Sequence, residues 1–437
     1  MSAIRNAFLA VGACLALAAC GGGGGGNGGG STSTSSGSGG QTAQSSAPGS
    51  QGTSNNGNQD NPPAGATTVN NVLPIRVDTA LAPAGGGYAP NLPVATVTVC
   101  VHGTTQCTTV SDVLVDTGSV GLRLTASALG ALANVLPTQT DASGNVLGEC
   151  YPFADGRYFW GPVASADIKL AGETATNVPM MIDGTPGGFP AAPGACGITL
   201  ADTPSVIGAN GILGVANLVQ DCPSCTSNAS NGIYYSCNMA TGTCASTAVT
   251  ATAQIQNPVA LFPQDNNGVI VELPSISAAG QASVDGSLVF GIGTQTNNTF
   301  NATSVLGYDA NQFISTRYNG QVLPESYIDS GSNGLYFPDS TLTQCAGGTG
   351  WYCPAATQAL TATAFGNAGA TTPVNLSFTV ANENALASTH ASAFSNLAGS
   401  GARATFDWGL PFFFGRHVYF AIANRTAPGG AAPYVAF

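Results

Sequence analysis

Apolar residues in this chain fall in short runs or at every second position, and no long stretch carries the three-and-four spacing of an amphipathic helix. Val94-Ala95-Thr96-Val97-Thr98-Val99-Cys100 alternates and predicts a strand. A turn follows at His102-Gly103-Thr104-Thr105, and Val113-Leu114-Val115 returns as a strand that ends in Asp116. Residues 150–170 read as a hairpin with its tip near Asp155-Gly156. Gly211-Ile212-Leu213-Gly214-Val215-Ala216 is an apolar run whose glycines allow another backbone to approach closely. In the second half, residues 286–293, 417–421 and 433–437 read as strands. Tyr318-Asn319-Gly320-Gln321 reads as a hairpin, because Asn-Gly is favoured at a two-residue turn. The pattern predicts a mostly β protein.

Two stretches stand outside it. Arg5 is followed by an apolar run from Ala7 to Ala19, too short to span a bilayer as a helix. It ends in Leu17-Ala18-Ala19-Cys20, which resembles the lipobox of bacterial lipoproteins. The resemblance implies a signal peptide over residues 1–19, a lipidated (palmitate-type) Cys20 and membrane attachment through it. Gly21 in place of Asp after that cysteine resembles the arrangement sorted to the outer membrane. Residues 20–68 are Gly/Ser/Asn-rich, cannot bury apolar surface and predict a disordered tether. With about 45 residues it has an r.m.s. reach on the order of 35–40 Å.

The remainder is long enough for two lobes, an N-terminal β lobe over 69–270 and a C-terminal β lobe over 271–437, with a linker near 250–285. The whole chain is 43% apolar and 7% charged, with a formal net charge of −12. Nine basic residues leave no electrostatic footprint for nucleic acid. Of twelve cysteines, removing Cys14 and Cys20 leaves an even number, which in an exported protein reads as disulfides. Cys100/Cys107 and Cys345/Cys353 read as local pairs and Cys150/Cys196 as a longer link. Cys222, Cys225, Cys237 and Cys244 leave open a zinc site, a redox pair or two disulfides, with export favouring the last.

The chemistry is concentrated in one stretch that occurs twice. Residues 114–124 read L-V-D-T-G-S-V-G-L-R-L, and residues 327–337 read Y-I-D-S-G-S-N-G-L-Y-F. Each places an acid, Asp116 or Asp329, behind an apolar strand and before a glycine that lets the chain turn. If the two acids face each other across a pseudo-two-fold axis, they cannot both ionise: one holds a proton, the other stays charged, and the pair is an acid and a base at once. Such a pair activates a water without metal or cofactor. Asp112, Glu149, Asp155 and Asp339 read as solvated or turn acids. His102, His390 and His417 stand in no metal-ligand spacing, and the Phe412–Phe414 run reads as core.

The paired motifs resemble the pepsin-like (retropepsin-type, bilobal) aspartic protease superfamily, of which this chain would be a divergent bacterial lipoprotein member. The resemblance covers about residues 90–437 in ordered patches. It implies a pepsin-like bilobal fold with an internal pseudo-two-fold repeat and a catalytic pair Asp116/Asp329, with Gly118 and Gly331 in the same motifs. By the same resemblance, Thr117 and Ser330 lock the two loops together and Ser119 and Ser332 hydrogen-bond the acids. The hairpin over 150–170 matches the family's flap, whose aromatic has Phe153 as its nearest counterpart, with Tyr151 and Tyr158 as alternatives. Residues 211–216, and Trp408-Gly409-Leu410 about eighty residues past Asp329, match the apolar-Gly motifs that pack behind the acid loops. Arg123 departs from the pattern, standing where the family usually has a Trp that partners the flap.

Two functions follow as expectations. One is an envelope-anchored, monomeric aspartic-type endopeptidase that binds extended peptide between its lobes. The other is a non-catalytic lipoprotein using the same scaffold to bind peptide or glycan at the cell surface or in the periplasm. No G-x-S-x-G is present, since Thr117 and Ser330 occupy the position where that motif needs glycine, and this argues against a serine hydrolase.

Overall fold

A computed structural model describes residues 71–78, 89–153, 156–197, 199–369 and 372–437. The expected signal peptide, Cys20, the tether and the hairpin-tip residue Asp155 lie outside the described residues. The protein is mostly β, its helices being single turns such as Ala126–Leu129 and Glu383–Ala387. Among the described residues no helix is long and apolar enough to cross a membrane.

Each predicted strand is present, with bounds that shift by one to several residues. Pro93–Cys100 pairs antiparallel with Cys107–Asp116. The latter runs parallel to Gly211–Val215, which pairs antiparallel with Val120–Thr125. Val120–Thr125 lies beside Glu173–Asp183, which pairs with Arg157–Leu170. Arg157–Leu170 then meets Pro93–Cys100 again through Thr98↔Lys169, Val99↔Ile168 and Cys100↔Asp167, closing a barrel. Its alternating side chains Val97, Val99, Val113, Val115, Leu122, Leu124, Ile168 and Leu213 are fully buried, as period-two patterning requires. Val146–Pro152 and Arg157–Leu170 form the expected hairpin, in register from Gly148↔Pro162 to Pro152↔Tyr158.

The barrel does not end at the expected lobe boundary. Val72–Val77 pairs over its whole length with Val284–Phe290, which continues through Gly268–Leu273 and Arg416–Ala421 to Tyr434–Ala436. The segment expected as a linker therefore contains a central strand, Gly268–Leu273, and the expected boundary falls inside it. Val269 and Val271 are fully buried there, and a strand with covered faces cannot serve as a flexible connection. A separate seven-stranded sheet holds Ile314–Tyr318, Gln321–Ile328, Leu335–Phe337, Gln358–Gly366 and Val374–Val380. Its hairpin turn is Asn319-Gly320, both at positive φ.

Five disulfides tie the loops: Cys100–Cys107, Cys150–Cys196, Cys222–Cys225, Cys237–Cys244 and Cys345–Cys353. The cluster left open by spacing thus resolves into two local pairs. Buried amides join segments far apart in sequence. Asn91 donates to the carbonyls of Asn333 and Phe394, each at 2.9 Å, and accepts from the Phe394 N–H. Asn217 donates to the carbonyls of Ala421 and Tyr434, at 3.1 and 2.9 Å. Each satisfies backbone groups that the loops would otherwise bury unpaired.

Candidate active site

Cys107–Asp116 carries Asp116 at its end, and Thr117-Gly118-Ser119 turns the chain into Val120–Thr125. Gln321–Ile328 delivers Asp329 in the same way, and the chain returns through Leu335–Phe337. Each acid is held by its own loop. Gly118 N–H donates to Asp116 Oδ1 at 2.8 Å and the Ser119 hydroxyl donates to Oδ2. Gly331 N–H donates to Asp329 Oδ1 and the Ser332 hydroxyl to Oδ2, both at 2.8 Å.

The loops also hold each other. Thr117 N–H donates to Ser330 Oγ at 3.1 Å, and Ser330 N–H donates to Thr117 Oγ1 at 2.9 Å. Ser330 Oγ then donates to the Val115 carbonyl at 2.7 Å and Thr117 Oγ1 to that of Ile328 at 3.4 Å. Both hydroxyl residues are buried, so water does not compete for these bonds. The motif glycines are required by the partner loop: a Cβ on Gly118 would stand 2.7 Å from Asp329 Cγ, and one on Gly331 would stand 2.7 Å from Asp116 Oδ1. Behind the loops, a Cβ on Gly214 would meet the Ser119 backbone at 2.7 Å, and one on Gly409 the Gly334 carbonyl at 2.1 Å.

This packing puts the Asp116 and Asp329 carboxyls within hydrogen-bonding reach of each other. Burial first, then the charges of Asp116 and Asp407 and the bond to Asp116, push the Asp329 carboxyl well above the usual range, against the Ser332 hydroxyl. These effects favour the protonated form of Asp329.

Two groups near the pair escaped the sequence reading. Asp407 is buried behind Asp329 with neither carboxyl oxygen hydrogen-bonded. Burial, only partly offset by the nearby Ser332 hydroxyl, pushes it well above the carboxylate range. Its one sequence signal is an acid at a position of the Phe406-Asp407-Trp408-Gly409 run where an apolar residue belongs. Tyr308 is also buried, and burial with the charge of Asp329 raises its phenol, so it stays a proton donor.

Arg123 and Glu149 correct two expectations. Glu149 is no solvated acid: it is fully buried and accepts from Arg123 Nε at 3.1 Å and from Nη2. Arg123 Nη2 also donates to Asp221 at 3.0 Å, and Asp221 accepts from the Tyr234 hydroxyl at 2.6 Å. Burial opposes the charge on Arg123, but Glu149, Tyr151 and Asp221 outweigh it and raise its pKa. Burial and the charge of Glu149 push Asp221 well above its ordinary range.

The guanidinium carbon lies over the Tyr151 ring, 3.7 Å from its centroid. Arg123 thus partners the hairpin after all, by stacking. Of the three aromatic candidates, Tyr151 lines the cavity beside Thr117, Gly118 and Ser119. Phe153 packs edge-on against Phe159 and Tyr151 instead, and Tyr158 lies against Gly197. The cavity has about 50 Å³ and is also lined by Asn217, Asp221, Tyr308, Gln312 and Tyr327. It has room for water. Both acids beneath it are fully buried.

The one metal-like grouping among the described residues, Cys345, Cys353 and Glu383, has its sulfurs joined in a disulfide and so offers no thiolates. Residues 67–437 match the model of a family described as a protein of unknown function, DUF3443. No curated protein matches the chain.

Proposed function

We propose that this chain, which belongs to the DUF3443 family, is an aspartic-type endopeptidase with a pepsin-like bilobal fold. In this reading the two acid loops are copies in a pseudo-two-fold repeat. The observation that carries it is the reciprocal locking of Thr117 and Ser330, which sets two buried carboxyls side by side, each with its own Gly N–H and Ser hydroxyl. A structural acid pair has no use for that arrangement, since two adjacent buried carboxyls cost stability.

The chemistry follows from the protonation. A water between the carboxyls gives a proton to Asp116 as its oxygen attacks the peptide carbonyl, while Asp329 donates its proton to the carbonyl oxygen. The tetrahedral diol then collapses: Asp116 passes its proton to the departing amine and Asp329 recovers one from a diol hydroxyl. No metal is needed. The substrate is an extended peptide pairing with the hairpin strands as an added strand. Since both acids are covered, the 146–170 hairpin swings away for substrate to enter, releasing the contact of Arg123 with Tyr151 near its tip. Five disulfides suit an oxidising envelope compartment, where the lipid-anchored reading would place the enzyme.

The covered acids and the small cavity favour one second reading, a non-catalytic binder of peptide or glycan. To separate the two, the purified protein is incubated with a mixed peptide library from about pH 3 to pH 8, alongside Asp116→Asn and Asp329→Asn. Cleavage by the parent, reduced by roughly 10²–10⁴ or more in both variants, is the expected result. Cleavage that survives Asp116→Asn sinks the mechanism; retention of peptide or glycan without cleavage supports the binder.

A further inference from the structure

A second cavity, of about 380 Å³, lies under the hairpin of Gln358–Gly366 and Val374–Val380, with Trp408, whose carbonyl accepts from the Asp329 N–H, in its wall. Its volume is in the range of small-molecule sites, roughly 300–1,000 Å³. Leu335, Leu376, Phe378, Trp408, Phe412 and Phe414 contribute its apolar wall. One cation lines it, Arg416. The guanidinium is fixed over the Phe412 ring, 4.4 Å from the centroid, and Nη1 donates to the Phe412 carbonyl.

Arg416 is half-buried, yet no carboxylate pairs with it among the described residues. That is notable in a chain with 21 acidic and nine basic residues. The fully buried guanidinium of Arg123, by contrast, has two carboxylates. Burial lowers the pKa of Arg416 with no neighbouring charge to offset it. Among the described residues the guanidinium is bonded through Nη1, which leaves Nε and Nη2 to meet a planar anion with two parallel donors.

We propose that this cavity binds a monoanionic amphiphile, a fatty-acid carboxylate whose head accepts from Arg416 and whose chain lies against Leu376, Phe378 and Trp408. One positive charge matches one negative charge, and the aromatic and aliphatic wall matches an alkyl tail. A phosphate dianion would be left with uncompensated charge. This inference is independent of the acid pair and of any hydrolytic activity.

The test is calorimetric titration of the whole purified protein with hexanoate, octanoate and decanoate below their micellar concentrations, and with decyltrimethylammonium as the opposite-charge control. The expected result is one saturable site for the carboxylates, tightening about four-fold per added methylene until the cavity is filled, with the cationic control at least about ten-fold weaker. Arg416→Gln is expected to weaken decanoate roughly ten- to hundred-fold, and Asp116→Asn to leave it unchanged. Should Arg416→Gln fail to fold, Arg416→Lys keeps the charge, loses the planar fork and is expected to weaken binding less. Leu376→Trp, checked for native circular dichroism, is expected to block the cavity. The proposal is overturned if no saturable binding occurs, if the cationic control binds as tightly, or if binding is indifferent to the charge at position 416.

Discussion

The loops that carry Asp116 and Asp329 are bonded almost identically, yet what lies behind them differs. Behind Asp116 the support is ionic: Arg123 joins Glu149, Asp221 and the Tyr151 face in a fully enclosed group. Behind Asp329 it is aromatic, with Phe337 stacked on Phe406 at 4.7 Å and Phe406 on Trp408 at 4.0 Å, while Asp407 between them in sequence faces Ser332 and the acids. The same hydrogen-bonded centre therefore rests on two unlike foundations. The difference teaches that the bonds within the loops fix where the acids sit, while the layer behind Asp329 adds to the burial that favours a proton there. Burial and the charges of Asp116 and Asp407 raise Asp329.

The sharpest way to break the comparison is to attack the ionic side. Arg123→Met leaves Glu149 and Asp221 buried without their cation and is expected to cost about 3–5 kcal/mol, measured by urea unfolding. The combined change Arg123→Met, Glu149→Gln, Asp221→Asn is expected to recover much of that loss. A single variant as stable as the parent would show that the cluster is not enclosed as described.

Next in size are the locking hydroxyls. Thr117→Val and Ser330→Ala each leave a buried N–H without its acceptor and are expected to cost about 1–3 kcal/mol. Near-equal costs support two equivalent loops; a cost on one side only breaks the equivalence.

Stability against pH gives the third test. Asp183, Asp221, Asp329 and Asp407 are all pushed upward, by burial first. A raised carboxyl makes the folded state bind more protons than the unfolded one. Its contribution is complete below an unfolded pKa of about 3.9 and is lost as pH rises through the folded value. Asp141, lowered first by the Ser236 hydroxyl, runs the other way and loses its contribution as pH falls. The Tm is therefore expected to be a few degrees higher near pH 5 than near pH 8. A Tm that rises over that interval contradicts the assignment.

The smallest expected effect is at Asp407. Asp407→Asn removes an acid whose ionisation opposes that of Asp329, so the alkaline limb of any activity profile moves to lower pH, by less than about one unit. Because the same change relieves a buried acid with no hydrogen bond, the variant is expected to be no less stable than the parent. A shift to higher pH would show that Asp407 does not act on the pair.

Much of this was legible along the chain because it is local. Alternation marked the strands, Asn319-Gly320 marked its turn, and Asp-small-Gly-Ser marked both acid loops. What was hidden depends on distant partners. Asn91 and Asn217 are ordinary polar residues until the fold puts orphan carbonyls beside them. Glu149 looks solvated because Arg123 lies 26 residues away, and neither has a periodic signature of burial. Gly268–Leu273 was read as linker because its partners are strands that come later in the chain. Tyr151 was ranked behind Phe153 because distance from a hairpin tip says nothing about which side of the hairpin faces the acids.

The pairing of Val72–Val77 with Val284–Phe290 bears on how the molecule comes into being. Val72 is the register partner of Val289, so a ribosome or an export channel releasing the chain from its N-terminal side exposes an apolar strand long before its mate exists. Contacts of such separation make for slow assembly. Until residue 290 has emerged, that orphan edge is open to the wrong neighbour, and a holdase that shields it would decide how much protein matures.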